Sequence, residues 1–432
     1  MGRGSIKLTL PNLIFCAAFS TIFLRILVYH ALSHCDKEYG LIIDAGSSGS
    51  RIHIFSWKDD NKDDLLITLN EISALKITPG ISSYNTGKDA GKSLVPLIHH
   101  AEELIPRHCW SKTNIHLMAT AGCRLLDNSR AKEILTGIRN YLSSLPFIFH
   151  GRNARIVPGD EEAEFDWLSI NFATSAFVEK KDFVGVTDLG GASTQISYHI
   201  ASTSSFNTGD SDTSTFQPGI RTLQVGAYSH TIYAVSRLHM GLYEAYKNTY
   251  KLHVNGQYNE NTYPCQIPGD YYKCRALVIQ FLNKHASEDM SQLGETANAP
   301  PIKTGSTFYG LDNFAKLANI HWTLEKRNPN SRKLPPTQFV NPDMESFQKV
   351  AIKLCSMDWY ELRSLIPIKA AKDKLLAHSC FGLIYIKILL EDVYKLQDED
   401  ISVIFAHTVG EIDGSWATGA AIAAFEKPFE EV

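Results

Sequence analysis

An Asp followed by a Gly- and Ser-rich turn occurs twice in the chain, each time between two runs typical of β-strands. The first copy, DAGSSGSR, runs from Asp44 to Arg51, and the second, DLGGASTQ, runs from Asp188 to Gln195. Glycines in such a turn let successive backbone N–H groups converge on one point, which is how loops bind anions. A plain hairpin turn uses the same residue types, so one copy alone leaves both interpretations open.

The two copies share a register, which favours the anion-binding interpretation. Asp188, Gly190, Thr194 and Ile196 correspond to Asp44, Gly46, Ser50 and Ile52. A strand follows each turn, whereas the P-loop and the dinucleotide fingerprint both require a helix there. Two such loops could face each other across a cleft and hold a polyphosphate with a metal ion between them. The duplication predicts two similar lobes.

A cluster of acids lies where a helix is predicted to begin. Pro158 and Gly159 precede an apolar periodicity, so the acids at the start of the helix are Asp160, Glu161, Glu162 and Glu164. Acids at this position often do no more than cap the helix and complement its dipole. Hydrolysis of a phosphate, however, needs a carboxylate to take a proton from water, and neither loop contains a His or Cys. One of these acids is therefore the candidate general base.

Length and composition are those of a globular protein with two domains. The chain has 432 residues, of which 44% are hydrophobic and 20% charged, and its formal net charge is −4. The negative charge and the lack of a long Lys/Arg run argue against a nucleic-acid partner. We expect a first lobe of residues 36–163 together with 401–432, and a second lobe of residues 164–400.

The N-terminal residues 1–33 resemble an export signal. Arg3 and Lys7 precede an apolar run, and Ala31 and Ser33 are small residues of the kind found at cleavage sites. The alternative is an uncleaved membrane anchor, which would enclose Arg25 at an energetic cost. Either way, the protein is expected to be secreted or extracytoplasmic, and to touch a membrane only through this segment.

The spacing of the eight cysteines fits an oxidising compartment. Cys265 and Cys274 flank a short loop, and Cys355 and Cys380 bracket a helical stretch, so each pair is a plausible disulfide. Zinc is the alternative, but the chain has no C-x-x-C pair and no clustered His to support it. The pairing of three further cysteines stays open: Cys35, Cys109 and Cys123.

Five segments, in order, resemble the signature segments of the nucleoside triphosphate diphosphohydrolase (apyrase, GDA1/CD39) family. They are DAGSSGSR, MATAGCRLL, GDEEAEFDWLSINF, DLGGASTQ and GSWATGAA. The resemblance implies an α/β fold of two actin-like (RNase H-like) lobes, with the active site in the cleft between them. It also implies stepwise hydrolysis of nucleoside tri- and diphosphates to the monophosphate with Mg²⁺ or Ca²⁺. Exported bacterial members look most similar, and we expect a monomer.

The resemblance also implies roles for individual residues. Glu162 would be the general base, Ser193 and Gln195 would hold the attacking water, and Asp44 and Asp188 would hold the metal, largely through its waters. Residues that would contact the substrate are Ser47, Ser48, Gly49, Arg51, Thr120, Arg124, Gly190, Gly191, Ala192, Tyr385 and Trp416. Without the match, Arg124 would be interpreted as a surface charge and Trp416 as a core aromatic.

Two departures concern recognition of the base. Val235 stands where the family has a His in its Tyr-x-His-Ser segment. Tyr385 is the aromatic residue expected to stack on the base, but the run of aromatics common in the family at that place is missing.

Three other functions remain open. An actin-like kinase would need an acid poised on a substrate hydroxyl, and the sequence has no motif for one. An exopolyphosphatase would share both loops, although MATAGCRLL and GSWATGAA fit it poorly. A non-catalytic nucleotide-binding or filament-forming protein would need no base, whereas Glu162, Ser193 and Gln195 are all present.

Overall fold

A computed structural model describes most of the chain. It covers residues 35–58, 65–179, 181–200, 218–226, 228–255, 263–293, 299–325, 336–368, 371–396 and 399–425. The predicted export signal therefore lies outside the described residues, as does most of a polar segment at residues 202–219 that we expect to be an exposed loop. Among the described helices, none combines the length and the apolar character that a bilayer span requires.

The first sheet contains five strands in the order β3-β2-β1-β4-β5. They are β1 (Glu38–Ala45), β2 (Ser50–Trp57), β3 (Asn70–Ile77), β4 (Asn114–Ala119) and β5 (Ala154–Ile156). β1, β2 and β3 form an antiparallel meander, while β4 and β5 continue from β1 in parallel. The first Asp-led turn is thus the hairpin between β1 and β2, as the sequence predicts.

The second sheet repeats this arrangement and adds one strand at each edge. Its order is β11-β12-β10-β6-β7-β9-β8. The strands are β6 (Gly185–Leu189), β7 (Ser193–His199), β8 (Ile220–Val225), β9 (Tyr228–Leu238), β10 (Thr307–Asp312), β11 (Gln338–Val340) and β12 (Ser402–Ala406). The order β9-β7-β6-β10-β12, with the same strand directions, matches the first sheet, so the duplication extends to whole lobes. Two short strands, β13 (Thr408–Val409) and β14 (Ile412–Asp413), pair separately.

Helices cover both sheets. Those up to the middle of the chain are α1 (Leu65–Thr68), α2 (Gly87–Ser93), α3 (Val95–Leu104), α4 (Ala121–Arg124), α5 (Asn128–Leu142), α6 (Gly159–Ala173) and α7 (Ala176–Glu179). The later ones are α8 (Leu242–Asn255), α9 (Tyr271–Leu293), α10 (Asn313–Glu325), α11 (Met344–Cys355), α12 (Trp359–Leu365), α13 (Asp373–Ala377), α14 (Ser379–Ile388) and α15 (Ala417–Phe425). A π-helical turn, Leu389–Val393, extends α14.

Successive side chains of β1 enter two different cores, which explains the apolar run from Leu41 to Ile43. Leu41 and Ile43 point to the core under α3 and α5, while Ile42 points to a second core shared with α6 and α15. That second core also includes Ile232 and Ala234 of the other sheet. A strand buried on both faces cannot show the polar alternation of a half-exposed one.

α6 and α15 lie between the two sheets and pack closely on each other. The contact depends on Gly419, because a Cβ added there would lie 2.0 Å from the backbone oxygen of Phe165. α15 also contacts β1 of the first lobe, as the predicted boundary implies. β12 does not follow that boundary. It pairs with β10 and β11, so residues 402–406 belong to the second sheet and not to the first lobe.

The two predicted disulfides are present, and a third disulfide pairs two of the three cysteines whose partners the sequence left open. Cys265 bonds to Cys274, Cys355 to Cys380, and Cys35 to Cys109. Cys123 is a buried free thiol. His108 lies beside Cys35 and Cys109, but the two sulfur atoms bond to each other, so neither is available as a zinc ligand.

Candidate active site

A cleft of about 300 Å³ lies between the two Asp-led loops. Asp44 stands at the end of β1, opposite Arg51 in the hairpin register, and Asp188 stands at the end of β6, opposite Gln195. The same strand-turn-strand unit therefore delivers one carboxylate from each lobe to one space. The lining also includes Gly46, Ser47, Ser48, Gly49, Thr120, Gly190, Gly191, Ala192, Ser193 and Trp416, so ten further residues of the two loops and their neighbours meet there.

The two loops approach each other closely because they contain glycine. A Cβ added to Gly191 would lie 2.6 Å from Ser47 Oγ of the opposite lobe. The second loop is held from behind by α8: Leu242 N–H donates to Gly190 O at 2.9 Å and Tyr243 N–H donates to Gly191 O at 3.0 Å. The two loops therefore lie close enough in this structure for one ligand to contact both.

Glu162 projects into the cleft from the first turn of α6 and is 5% exposed. Burial raises the pKa of its carboxyl to about 7, and the nearby Asp44 carboxylate acts in the same direction. Arg124 opposes this shift, because its Nη2 donates to Glu162 Oε2. A carboxylate with a pKa near neutrality is a suitable proton acceptor at the pH of most biological fluids.

Arg124, Ser193 and Gln195 form a hydrogen-bond network around this carboxylate. Arg124 Nη2 donates to Ser193 Oγ at 3.3 Å, and Gln195 Nε2 donates to the same oxygen at 2.9 Å. Gln195 Nε2 also donates to Ser236 Oγ at 3.0 Å. Because Ser193 Oγ already accepts two hydrogen bonds, its own proton is available to donate into the cleft. Gln195 is buried and does not line the cleft, and its contact with the cleft lining is the hydrogen bond that it donates to Ser193.

Asp44 and Asp188 each have a buried carboxylate oxygen, Oδ1, with no hydrogen-bond partner among the described residues. Burial raises the pKa of both carboxyls, most strongly that of Asp188. Buried acceptors are normally satisfied, so these two oxygens fit a ligand that supplies positive charge or donors. Hard carboxylate oxygens suit Mg²⁺ or Ca²⁺. Within the described residues, no three carboxylates of the cleft bring their oxygens within 4.8 Å of one another.

Five ionisable residues of the cleft were not identified from the sequence. Lys76, Asp312, Lys316, His407 and Asp413 also line it. Asp312 ends β10, which runs parallel to β6, so the C-terminal ends of both strands meet at the same edge. An Asp at the end of the apolar run TFYGLD was the available signal.

Four charged residues of the cleft form two ion pairs. Arg51 pairs with Asp413, and Lys316 pairs with Asp312. Burial alone would raise the pKa of Asp312, but Lys316 and Lys76 hold it below its ordinary value. Burial lowers the pKa of Lys76, whose Cε lies beside the first loop, 3.1 Å from a Cβ built on Gly49.

Comparison of the whole sequence with known protein families identifies the family of this chain. The model of the GDA1/CD39 (nucleoside phosphatase) family matches residues 30–269 and 251–429. The chain belongs to the GDA1/CD39 family. This confirms the family that the five segments indicated and, at the level of the family, the prediction of a nucleoside phosphatase.

Relatives in the GDA1/CD39 family are similar over most of their length. Probable apyrase 3 of Arabidopsis thaliana is 26% identical, over 90% of this chain and 82% of that protein. Ectonucleoside triphosphate diphosphohydrolase 3 of Homo sapiens is also 26% identical, over 88% and 77%. Both relatives are eukaryotic, and the greater similarity to exported bacterial members stays a prediction.

Solved structures confirm the predicted fold class of two actin-like lobes. The nucleoside triphosphate hydrolases from Neospora caninum align with a TM-score of 0.59 at 13% identity, over 94% of this chain and 96% of that one. The PPX-GPPA enzyme of Aquifex aeolicus aligns with a TM-score of 0.53 at 14% identity, over 90% and 99%. At these identities the likeness concerns the fold alone.

One expectation carried over from the GDA1/CD39 family does not fit the structure. Tyr385 is fully buried in the second lobe, its hydroxyl donates to Met240 O at 2.7 Å, and its ring stacks on Phe381. α14 is buried on nearly all sides, so its apolar sequence reflects the core and not a base-binding surface. Tyr385 therefore cannot stack on a base in this conformation.

A different aromatic residue stands near the second loop. A Cβ on Gly191 would lie 3.3 Å from the ring of Tyr243, and Lys374 Nζ lies 4.2 Å from the centre of that ring. Trp416 lines the cleft although it is 5% exposed, and it stacks on Phe165 of α6. Trp416 therefore belongs both to the core beside α6 and to the lining of the cleft. Val235 lies on β9 facing Ile196, away from the cleft lining.

Proposed function

We propose that the protein is an apyrase, which hydrolyses nucleoside tri- and diphosphates stepwise to the monophosphate. The observation that carries the proposal is the meeting of two Asp-led loops, one from each lobe, around the buried carboxylate of Glu162. Loops of this kind bind phosphates through backbone N–H groups. The names of the relatives agree with this chemistry, and family membership supports it.

Glu162 takes a proton from the attacking water. The water oxygen forms a bond to the terminal phosphorus, and the bond from that phosphorus to the bridging oxygen breaks, so that phosphate and the shortened nucleotide leave. The Ser193 hydroxyl, whose oxygen accepts from Arg124 and Gln195, donates to the same water and orients it. General-base catalysis of this type requires a pKa near the working pH, which burial provides for Glu162.

Asp44 and Asp188 would hold a divalent cation, Mg²⁺ or Ca²⁺, largely through its water ligands. Such an ion supplies positive charge to the phosphate oxygens during displacement. The unpartnered Oδ1 atoms of both residues support this assignment.

Cations and backbone groups of both lobes would bind the phosphates. Arg51 and Lys76 approach from the first lobe, and Lys316 from the second. Ser47, Ser48 and Gly49 face Gly190, Gly191 and Ala192 across the cleft, with Thr120 beside them. Among the described residues of the cleft, none is evidently reserved for a γ-phosphate, so the terminal phosphate of ADP could reach Glu162 as well. Tyr243 is a candidate contact for the base.

We also infer that the protein is exported and acts as a monomer on free nucleotides. Three disulfides among the described residues fit an oxidising compartment.

Phosphate release from ATP, ADP, AMP and polyphosphate, each with and without divalent metal, tests the proposal. We expect metal-dependent release from ATP and ADP, with AMP accumulating as the product on chromatography. Glu162→Gln serves as the inactive control. Arrest at ADP would identify an ATPase, and a preference for polyphosphate would identify an exopolyphosphatase instead.

A further inference from the structure

The second lobe contains a cavity of about 670 Å³, which is larger than the catalytic cleft and within the range typical of ligand pockets. β7 and β9 form its floor, α9 forms one wall, and the π-helical turn with the residues after it forms another. None of the functional residues discussed above lines it.

The sheet separates this cavity from the catalytic cleft, and alternate side chains serve each side. On β7, Ser193 and Gln195 belong to the catalytic network, while Ile196 and Tyr198 line the cavity. On β9, Ser236 bonds to Gln195, while its neighbour Arg237 lines the cavity. Successive residues of a strand point to opposite faces, so the two spaces share one sheet.

A hydrogen-bond chain crosses from the cavity wall to the second loop. Thr194 Oγ1 donates to the backbone oxygen of Asp188 at 2.6 Å. Because this uses the only hydroxyl proton of Thr194, the 2.7 Å contact with Tyr394 must have the Tyr394 hydroxyl as its donor. Tyr394 lines the cavity, so a side chain of the cavity wall is two hydrogen bonds from a candidate metal-holding residue.

The wall that includes Tyr394 has an irregular backbone. Leu389–Val393 is a π-helical turn, and Lys395 has a φ of 57°. π-turns occur frequently at functional sites, and a non-glycine residue at positive φ stores strain that surrounding contacts must hold. A ligand against this wall can therefore favour one backbone arrangement over another.

The chemistry of the lining defines the ligand. Among the described residues that line it, Arg237 and Lys395 are positively charged and Asp392 is negatively charged, so positive side chains outnumber negative ones. Most of the other lining residues are apolar or aromatic. The rings of Tyr198 and Tyr233 lie 5.2 Å apart and offer an aromatic surface.

We propose that this cavity is a second ligand site, which takes a small aromatic monoanion, and that its occupancy strengthens divalent-metal binding in the cleft through Tyr394 and Thr194. The coupling, but not the binding, rests on the proposed function. An occupant packs against Tyr394 and holds the hydrogen-bond chain to Asp188 in place. Allosteric coupling of this kind changes affinity by roughly 5- to 150-fold.

Fluorescence titration with anilinonaphthalene sulfonate, an aromatic monoanion, tests the binding. We expect saturable binding at one site in the whole protein. Ile279→Trp should fill the cavity and abolish it, and Lys395→Glu should weaken it about fivefold or more, since an attractive charge becomes repulsive. Lys353→Glu is the matched control, because Lys353 is exposed on α11 in the same lobe and lies outside the cavity lining.

The binding claim is overturned if the wild type shows no saturable site or if Lys395→Glu binds as tightly as Lys353→Glu. This comparison between two surface variants stands even if Ile279→Trp fails to fold.

Calorimetric titration of Mg²⁺, with and without saturating probe, tests the coupling without any assay of hydrolysis. The probe should lower the Kd for the ion by about fivefold or more in the wild type, and Tyr394→Phe should bind the probe but lose this effect. Unchanged or weaker metal binding in the wild type would overturn the coupling. Saturable probe binding by a protein that releases no phosphate from ATP would refute the proposed function and leave the second site standing.

Discussion

At the scale of single residues, the environment of Glu162 is the main chemical feature of the molecule. Burial and the Asp44 carboxylate favour the protonated form, while the Arg124 guanidinium favours the ionised form. The balance places the pKa of Glu162 at about 7. A pKa in this range suits proton transfer and supports the proposed role of Glu162 as the base, whereas helix capping alone would not require it.

Glu162→Gln should abolish turnover while nucleotide binding stays nearly intact. The amide keeps the size and polarity of the side chain but cannot accept the proton of the water, and loss of a general base costs about 10²- to 10⁴-fold. Steady-state turnover and equilibrium binding of a nucleotide analogue measure the two effects. A variant that retained more than about a third of wild-type turnover would show that another group is the base.

Arg124→Gln should move the acidic limb of the pH profile to higher pH. Arg124 lowers the pKa of Glu162, so its removal raises that pKa further above the ordinary value. The base acts when deprotonated, and activity is therefore lost as the pH falls through the pKa. kcat/KM measured against pH at saturating metal gives the position of the limb, with the exposed Arg152→Gln as control. A limb that stayed in place or moved to lower pH would contradict the assigned contact.

Asp44→Ala and Asp188→Ala should each raise the metal concentration required for half-maximal activity. Each substitution removes a carboxylate oxygen that has no hydrogen-bond partner among the described residues and is therefore available to the metal. EDTA should abolish the hydrolytic activity of the wild type. Metal titrations of activity provide the measurement. Full activity in excess chelator would remove metal from the mechanism.

At the scale of elements, the contact between α6 and α15 positions Glu162, the proposed base. α6 carries Glu162 in its first turn and Phe165 one turn later, where it meets Gly419 of α15. Any side chain at position 419 would meet backbone atoms of Phe165, which cannot move aside as a rotamer can. The close packing of these helices is therefore a condition for the geometry of the cleft.

Gly419→Ala should destabilise the protein by about 1–3 kcal/mol, because the added methyl group overpacks this contact. Chemical unfolding followed by circular dichroism measures the loss. Gly151→Ala is the matched control, since a Cβ there has no neighbour within 4 Å among the described residues. Equal free energies of unfolding for the two variants would mean that the close packing of α6 on α15 at Gly419 does not contribute to stability.

At the scale of the whole molecule, a ligand that contacts both loops bridges two lobes. Ser48 and Ala192 belong to different sheets and line the same cleft. Contacts to both should differ between open and closed arrangements, so a bound nucleotide should shift the population toward closure.

A non-hydrolysable ATP analogue with metal should therefore reduce the radius of gyration measured by small-angle scattering. Protease sites between the lobes should also become slower to cut. Binding is confirmed separately by calorimetry. An unchanged scattering curve at saturation would mean that the lobes are already fixed and that closure plays no part in positioning Glu162.

The sequence determined the repeated unit, because local patterns carry it. An apolar run, an Asp, a glycine turn and a second strand are short-range features, and both hairpins formed in the predicted register. The start of α6 near Asp160 and two disulfides followed from equally local spacing. The five segments were sufficient for the family and, through it, the fold class.

Only the tertiary structure decided which distant residues enter the cleft and which are buried elsewhere. Asp312 and Lys316 reach it because β10 pairs in parallel with β6, a contact between segments more than 100 residues apart that no local pattern encodes. Tyr385 was misassigned because an aromatic residue in an apolar helix has the same local pattern whether it faces a ligand or the core. β12 joined the second sheet for the same physical reason: strand pairing depends on which edge is open in three dimensions, and a sequence boundary does not contain that information.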